Sequence, residues 1–207
     1  MVVPIHGIRL ALYVAAGLAV GAAAAIALFP AARERILSPL KVTTVGQALV
    51  GGPFALTDHT GKRVTDTDYR GTFMLVMFGF TFCPDVCPSE LQLISAALDK
   101  LGPKGDRIVP LFISIDPERD TPDQLAQYVK SFHPRLIGLT GTPEEVAAAA
   151  KAYRVYFKKV TDAKSTAGYT MDHLALIYLM GPDGAYRTHF TPGISVEALA
   201  ERLAKLL

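Results

Sequence analysis

The chain has 207 residues, half of them hydrophobic, and a formal net charge of +2. Of its 21 Lys and Arg and 19 Asp and Glu, only Arg9, Arg33, Arg35 and Glu34 precede Ser38, so the rest is electrically balanced. That balance excludes a nucleic-acid binder held by bulk charge, which needs a basic footprint. Two cysteines are too few for a four-thiolate zinc site or a multiply bridged scaffold.

No charged side chain occurs between Leu10 and Ala32. As a helix, Leu10 to Phe29 would be about 30 Å long, the thickness of a bilayer's hydrocarbon core. The expected organisation is therefore a membrane anchor with its flanks over residues 1–37 and one domain over residues 38–207. At roughly 170 residues, that domain can bury a core without staples. A cleaved signal peptide is the alternative, since Ala22 to Ala25 offer small residues for cleavage. The apolar run, however, exceeds the ~7–15 residues usual for a signal peptide, which favours a retained helix. Arg33, Arg35 and Lys41 follow the span, so the positive-inside rule alone would keep the domain in the cytoplasm.

Past Ser38, Phe54 to Leu56 and Arg63 to Thr65 flank Asp58-His59-Thr60-Gly61 and predict a hairpin. Thr72 to Phe80 is a continuous apolar run, the pattern of a strand buried on both faces. Pro88 to Leu101 places Leu91, Ile94, Leu98 and Leu101 at helical spacing, closed by Gly102-Pro103. Ile108 to Ile115 is a second buried strand. Thr121-Pro122-Asp123 predicts an N-cap with proline at N1, opening a helix through Phe132. Leu136 to Leu139 is a short strand, and Thr142-Pro143-Glu144-Glu145 opens another helix. His173 to Met180 is the third long apolar strand. Gly181-Pro182-Asp183-Gly184 turns it into a hairpin with Ala185 to Phe190, and Ser195 caps a last helix. The order β-α-β-α-β-α-β-β-α predicts a mixed α/β sheet of the thioredoxin type.

Chemistry concentrates where the first buried strand meets its helix. Phe82-Cys83-Pro84-Asp85-Val86-Cys87-Pro88 puts two thiols four residues apart, on one side if Cys87 lies in the first helical turn. A helix N-terminus lowers thiol pKa and favours the thiolate, the form that attacks disulfides and ligates metals. A structural disulfide or two small buried side chains is the plainer reading, against which Pro84, Asp85 and Pro88 suggest an exposed turn. C-x-x-x-C is one residue longer than the redox C-x-x-C and lacks the four ligands of structural zinc. A third ligand is then the deciding question, and the chain offers five histidines. His6 lies beside the leader, while His59, His133 and His189 suit surface or capping roles. His173 is expected to open a buried strand after a polar loop from Thr161 to Asp172.

Phe78-Gly79-Phe80-Thr81-Phe82-Cys83-Pro84-Asp85-Val86-Cys87-Pro88 resembles the cysteine motif of the Sco/SenC family of copper-delivery proteins. Ile113 to Pro122 (Ile-Ser-Ile-Asp-Pro-Glu-Arg-Asp-Thr-Pro) resembles that family's second block. Asp172-His173, Ala175 to Leu179 and Gly181 to Gly184 resemble its third. The resemblance spans Phe54 to the carboxyl end and implies a thioredoxin-like fold behind a transmembrane helix. It also implies a domain in the periplasm, or in the intermembrane space if eukaryotic, against the charge count. It implies copper on Cys83, Cys87 and His173, with Asp116 and Asp172 as supporting groups behind the ligands. The implied role is to mature the binuclear copper site of cytochrome c oxidase. Its partners would be the oxidase's copper-bearing subunit and other copper chaperones or thioredoxin-like reductases.

Donor chemistry agrees, because soft thiolates select Cu(I) while imidazole accepts either copper state. Three protein ligands would leave a position open for a receiving thiolate. A thiol–disulfide oxidoreductase that reduces the oxidase cysteines is the nearest rival, with Cys83 and Cys87 as its redox pair. A peroxiredoxin-type peroxidase fails on its motif: three residues before the cysteines stand Phe80 and Pro84, where threonine is required.

Overall fold

The computed structural model describes residues 13, 16, 17, 49–161 and 168–207. Most of the anchor expected over Leu10 to Phe29 lies outside the described residues. Among the described residues no helix is long and apolar enough to cross a membrane. The unit described below spans Ala48–Leu207.

Its elements are β1 (Ala55–Asp58), β2 (Arg63–Thr65), β3 (Phe73–Gly79), α1 (Val86–Leu101), β4 (Ile108–Ser114), α2 (Pro122–Val129), β5 (Ile137–Thr140), α3 (Pro143–Ala152), β6 (Phe157–Thr161), β7 (Tyr169–His173), β8 (Ile177–Met180), β9 (Tyr186–Phe190) and α4 (Val196–Leu206). Seven strands form one sheet in the order β2-β1-β5-β4-β3-β8-β9. Every residue of β3 is buried, as its unbroken apolar run requires of a strand covered on both faces. It pairs in parallel with β4, from Phe73 opposite Ile108 to Gly79 opposite Ser114, and antiparallel with β8. A right-handed β3-α1-β4 crossover is the expected connection for such a parallel pair. The mixed α/β, thioredoxin-like architecture read from the sequence is the one the chain adopts.

Local signals explain most boundaries. The Oγ of Thr121, Thr142 and Ser195 each accept a backbone N–H at a helix start, relieving donors that the helix leaves unpaired. Thr142 and Glu145 complete a capping box. α2 stops at Val129, before the expected Phe132, because the N–H groups of Ser131 and Phe132 donate to carbonyls three residues back. This tightened turn leads into Pro134, which cannot continue a helix. α1 begins at Val86, two residues ahead of the expected Pro88. A proline in the first turn lacks only an N–H that the helix does not use.

One strand is corrected. His173 to Met180 is not a single strand: His173 ends β7, paired with Phe157 of β6, whereas Ile177 opens β8 on β3. Between them the Leu174 N–H donates to the Tyr156 carbonyl at 3.0 Å, and the chain changes sheets. The stretch expected as a polar loop contributes Thr161 to β6 and Tyr169 to Asp172 to β7. β6 and β7 form a two-stranded sheet of their own. They escaped notice because β6 is largely exposed, so no buried face enforces a clean apolar alternation.

Candidate metal centre

β3 ends at Gly79, and the chain turns through Phe80 to Asp85 into α1. The Cys83 N–H donates to the Phe80 carbonyl at 3.2 Å. Asp85 is the N-cap residue but makes no side-chain cap bond. Instead the Cys87 N–H, one of the unpaired donors of the first turn, points at Cys83 Sγ at 3.4 Å. Cys83 thus supplies the sulfur that the helix end turns toward, and it is partly exposed, while Cys87 is fully buried. Both thiols are free. Gly79 makes room for the buried one: a Cβ there would lie 2.7 Å from Cys87 Sγ and 2.7 Å from the Phe112 ring.

This geometry splits the two thiols electrostatically. The Cys83 pKa is pulled down to about 5, chiefly because the Cys87 thiol hydrogen-bonds its sulfur, aided by the N–H groups of Cys87 and Asp85. Cys87 is pushed far up, first by that same bond to Cys83 and then by burial. A thiolate on the exposed sulfur and a thiol on the buried one is the resulting state.

His173 comes from β7 to the same place. Its Nε2 lies 3.8 Å from Cys87 Sγ, its Nδ1 is 3.3 Å from the Met171 carbonyl oxygen, and its ring meets Phe80 edge-on at 5.7 Å. The structure therefore brings Cys87 close to both Cys83 and His173. Among the described residues no group of three or more His, Cys, Asp and Glu is already arranged to hold a metal ion. A metal bound at about 2.3 Å to sulfur and 2.0–2.1 Å to nitrogen, as zinc is, would leave those donors roughly 3.6–3.8 Å apart at tetrahedral to trigonal angles. The Cys87–His173 spacing falls at that separation.

The other described histidines are engaged elsewhere. His59 Nδ1 accepts the Gly138 N–H, and His133 Nδ1 accepts the Arg135 N–H, each at 3.2 Å. His189 stacks on Tyr186. Of the two carboxylates expected behind the ligands, Asp116 is buried but bonds Arg119 and the Tyr169 hydroxyl. Asp172 is exposed, and strand alternation turns it to the face opposite His173. The carboxylate tied to the cysteine turn is Asp120. It is fully buried and accepts from the Thr81 N–H at 3.0 Å, the Thr81 hydroxyl at 2.6 Å and the Ser114 hydroxyl at 2.6 Å. Burial raises its pKa, and its charge helps raise that of Cys87. Sequence reasoning passed over Asp120, Arg119 and Tyr169. Asp120 stands inside the second block, directly before the Thr121 cap, and that position within a family motif was the available signal for it.

A thioredoxin-like sheet whose cysteine corner faces a histidine from a separate hairpin defines the class of protein. The SCO1/SenC family model matches residues 42–207, and the chain belongs to that family. It is 50% identical over 148 residues to the human mitochondrial SCO1 homolog, covering 70% of this chain and 49% of that protein. The structure of Bradyrhizobium japonicum ScoI with copper bound superposes with a TM-score of 0.70 at 48% identity, covering 76% of this chain and 99% of that one. Arabidopsis thaliana ScoI with copper bound gives 0.72 at 44% identity, covering 75% and 96%. The chain spans about half the length of the first curated relatives it matches.

Proposed function

We propose that the chain carries copper as cargo on Cys83, Cys87 and His173 and delivers it to the binuclear copper site of cytochrome c oxidase. Membership of the family supports this reading, as do the two similar solved proteins with copper bound. The observation that carries it is the approach of His173 Nε2 to Cys87 Sγ at 3.8 Å, with the Cys87 N–H donating to Cys83 Sγ at 3.4 Å. Two soft sulfurs and one imidazole suit Cu(I) and also accept Cu(II). Loading displaces the Cys87 proton and draws Cys83 and His173 onto one ion, and three protein donors leave a position for a receiving thiolate. We place the domain outside the cytoplasm, in the periplasm or the intermembrane space, held by a membrane anchor in the apolar N-terminal segment. The human and Arabidopsis relatives are mitochondrial.

Metal analysis of the full chain, reduced and oxidised, with a parallel thiol count, tests the proposal. One copper per chain, bound only while both thiols are free, is expected. Copper retained after the Cys83–Cys87 disulfide forms would overturn the ligand set.

A second reading, a thiol–disulfide reductase, is favoured by the asymmetry of the pair. The accessible Cys83 thiolate attacks a partner's disulfide and forms a mixed disulfide. Cys87, once deprotonated, then attacks Cys83 Sγ, freeing the partner's thiols and leaving a Cys83–Cys87 disulfide. Rapid disulfide turnover with no copper bound would make this the main activity.

A further inference from the structure

The hairpin that carries His173 is not hydrogen-bonded into the seven-stranded sheet. Two strands alone are marginally stable in water, so contacts of side chains must hold β7 against the cysteine corner. Tyr169, Met171 and His173 share one face of β7 by strand alternation. Met171 is buried, and His173 reaches Cys87. At the far end Tyr169 meets two groups of the β4–α2 loop. Its hydroxyl donates to Asp116 Oδ1 at 2.9 Å, and its carbonyl accepts from Arg119 Nη1 at 3.3 Å. The Arg119 guanidinium also lies 3.8 Å from the centre of the Tyr169 ring, and its Nε donates to Asp116. The triangle Asp116–Arg119–Tyr169 is therefore closed.

The same guanidinium reaches the cysteine turn. It lies 4.9 Å from the Phe82 ring, next to Cys83, and 5.8 Å from the Phe80 ring, which meets His173 edge-on. Its Nη2 is buried with no hydrogen-bond partner among the described residues, which leaves the aromatic faces to receive that edge of the cation. A lysine would carry the charge without the planar fork or the stacking.

We propose that Arg119 is a positioning residue that clamps the β6–β7 hairpin and the cysteine turn together, fixing His173 over the thiols. The proposal rests on the reading of His173 as a copper ligand. Loss of the clamp weakens the contribution of the imidazole and leaves the two sulfurs in place. Cu(II), which depends on nitrogen donors, is then affected far more than Cu(I).

The test uses the full chain with Arg119→Leu, Arg119→Lys and Tyr169→Phe, and with His173→Ala in parallel. Arg119→Leu is expected to lower Cu(II) affinity about ten- to a hundredfold, the range for groups that orient metal ligands. It should change Cu(I) affinity less than about threefold and weaken the sulfur-to-Cu(II) charge-transfer band. Arg119→Lys and Tyr169→Phe should fall between it and the parent. Without metal, amide exchange in β7 should quicken in Arg119→Leu while β3 and β4 keep their rates. Unchanged β7 exchange, or equal losses for both copper states, would overturn the proposal. If Arg119→Leu does not fold, Tyr169→Phe decides by the same two measurements. Unchanged Cu(II) affinity in His173→Ala would instead remove the ligand reading, and the metal-free exchange would still report on the clamp.

Discussion

A methyl group at Gly79 would press on the buried thiol and on Phe112 at once, and neither neighbour can retreat from a closed core. Gly79→Ala is therefore expected to destabilise the domain by about 1–3 kcal/mol, the usual range for overpacking. Urea unfolding of the reduced protein measures this, and a change below about 0.5 kcal/mol would show that the corner relaxes. The two sulfurs should also separate by reactivity. The Cys83 thiolate fraction rises with pH through about 5, so alkylation there should already be near its plateau at neutral pH. Cys87, buried and pushed up, should stay unmodified until the protein unfolds. Peptide mass mapping of iodoacetamide-treated protein from pH 4 to 9 distinguishes the two, and prior labelling of Cys87 would reverse the assignment.

At the scale of elements, hydrogen exchange should be uneven. β3 and β4 are paired on both sides within the sheet, whereas β6 is exposed along most of its length and among the described strands has β7 as its sole ladder partner. Amides of β6 and β7 should exchange well before those of β3 and β4, and equal protection would show that the hairpin belongs to the global folding unit. The same contrast governs what the sequence discloses. β3, β4 and α1 are legible because burial on both faces, or on one helical face, leaves an unbroken or periodic apolar pattern. The caps at Thr121, Thr142 and Ser195 are legible because a hydroxyl just ahead of an amphipathic run satisfies the first helix donors locally. That Cys83 and Cys87 lie together is legible from their spacing, whereas the approach of His173 to Cys87 is foreshadowed only by the family likeness. The β6–β7 hairpin is not, since an exposed ribbon has no core to impose a period. Nor is the turn to Asp120 and Arg119, whose partners Thr81, Ser114 and Tyr169 lie far off in sequence.

For the whole molecule, a balanced charge beyond Ser38 gives no electrostatic preference for either side of a membrane, while Arg33, Arg35 and Lys41 argue for the cytoplasm. The proposed function requires the opposite side, so topology is a direct test. Alkaline phosphatase joined after Leu40 and expressed in bacteria should be active, and an inactive fusion beside a working cytoplasmic reporter would reject the placement. The separateness of the β6–β7 sheet has one more consequence. On the copper reading, the imidazole is a tethered donor whose effective concentration at the thiols is set by how firmly the hairpin is docked. A docked hairpin lengthens the residence time of the ion. A partner that levers the hairpin aside turns a three-donor hold into a two-donor one without touching either cysteine. Off-loading can then be quick even where equilibrium binding is tight, because the strand–helix corner that builds the thiol pair need not move at all.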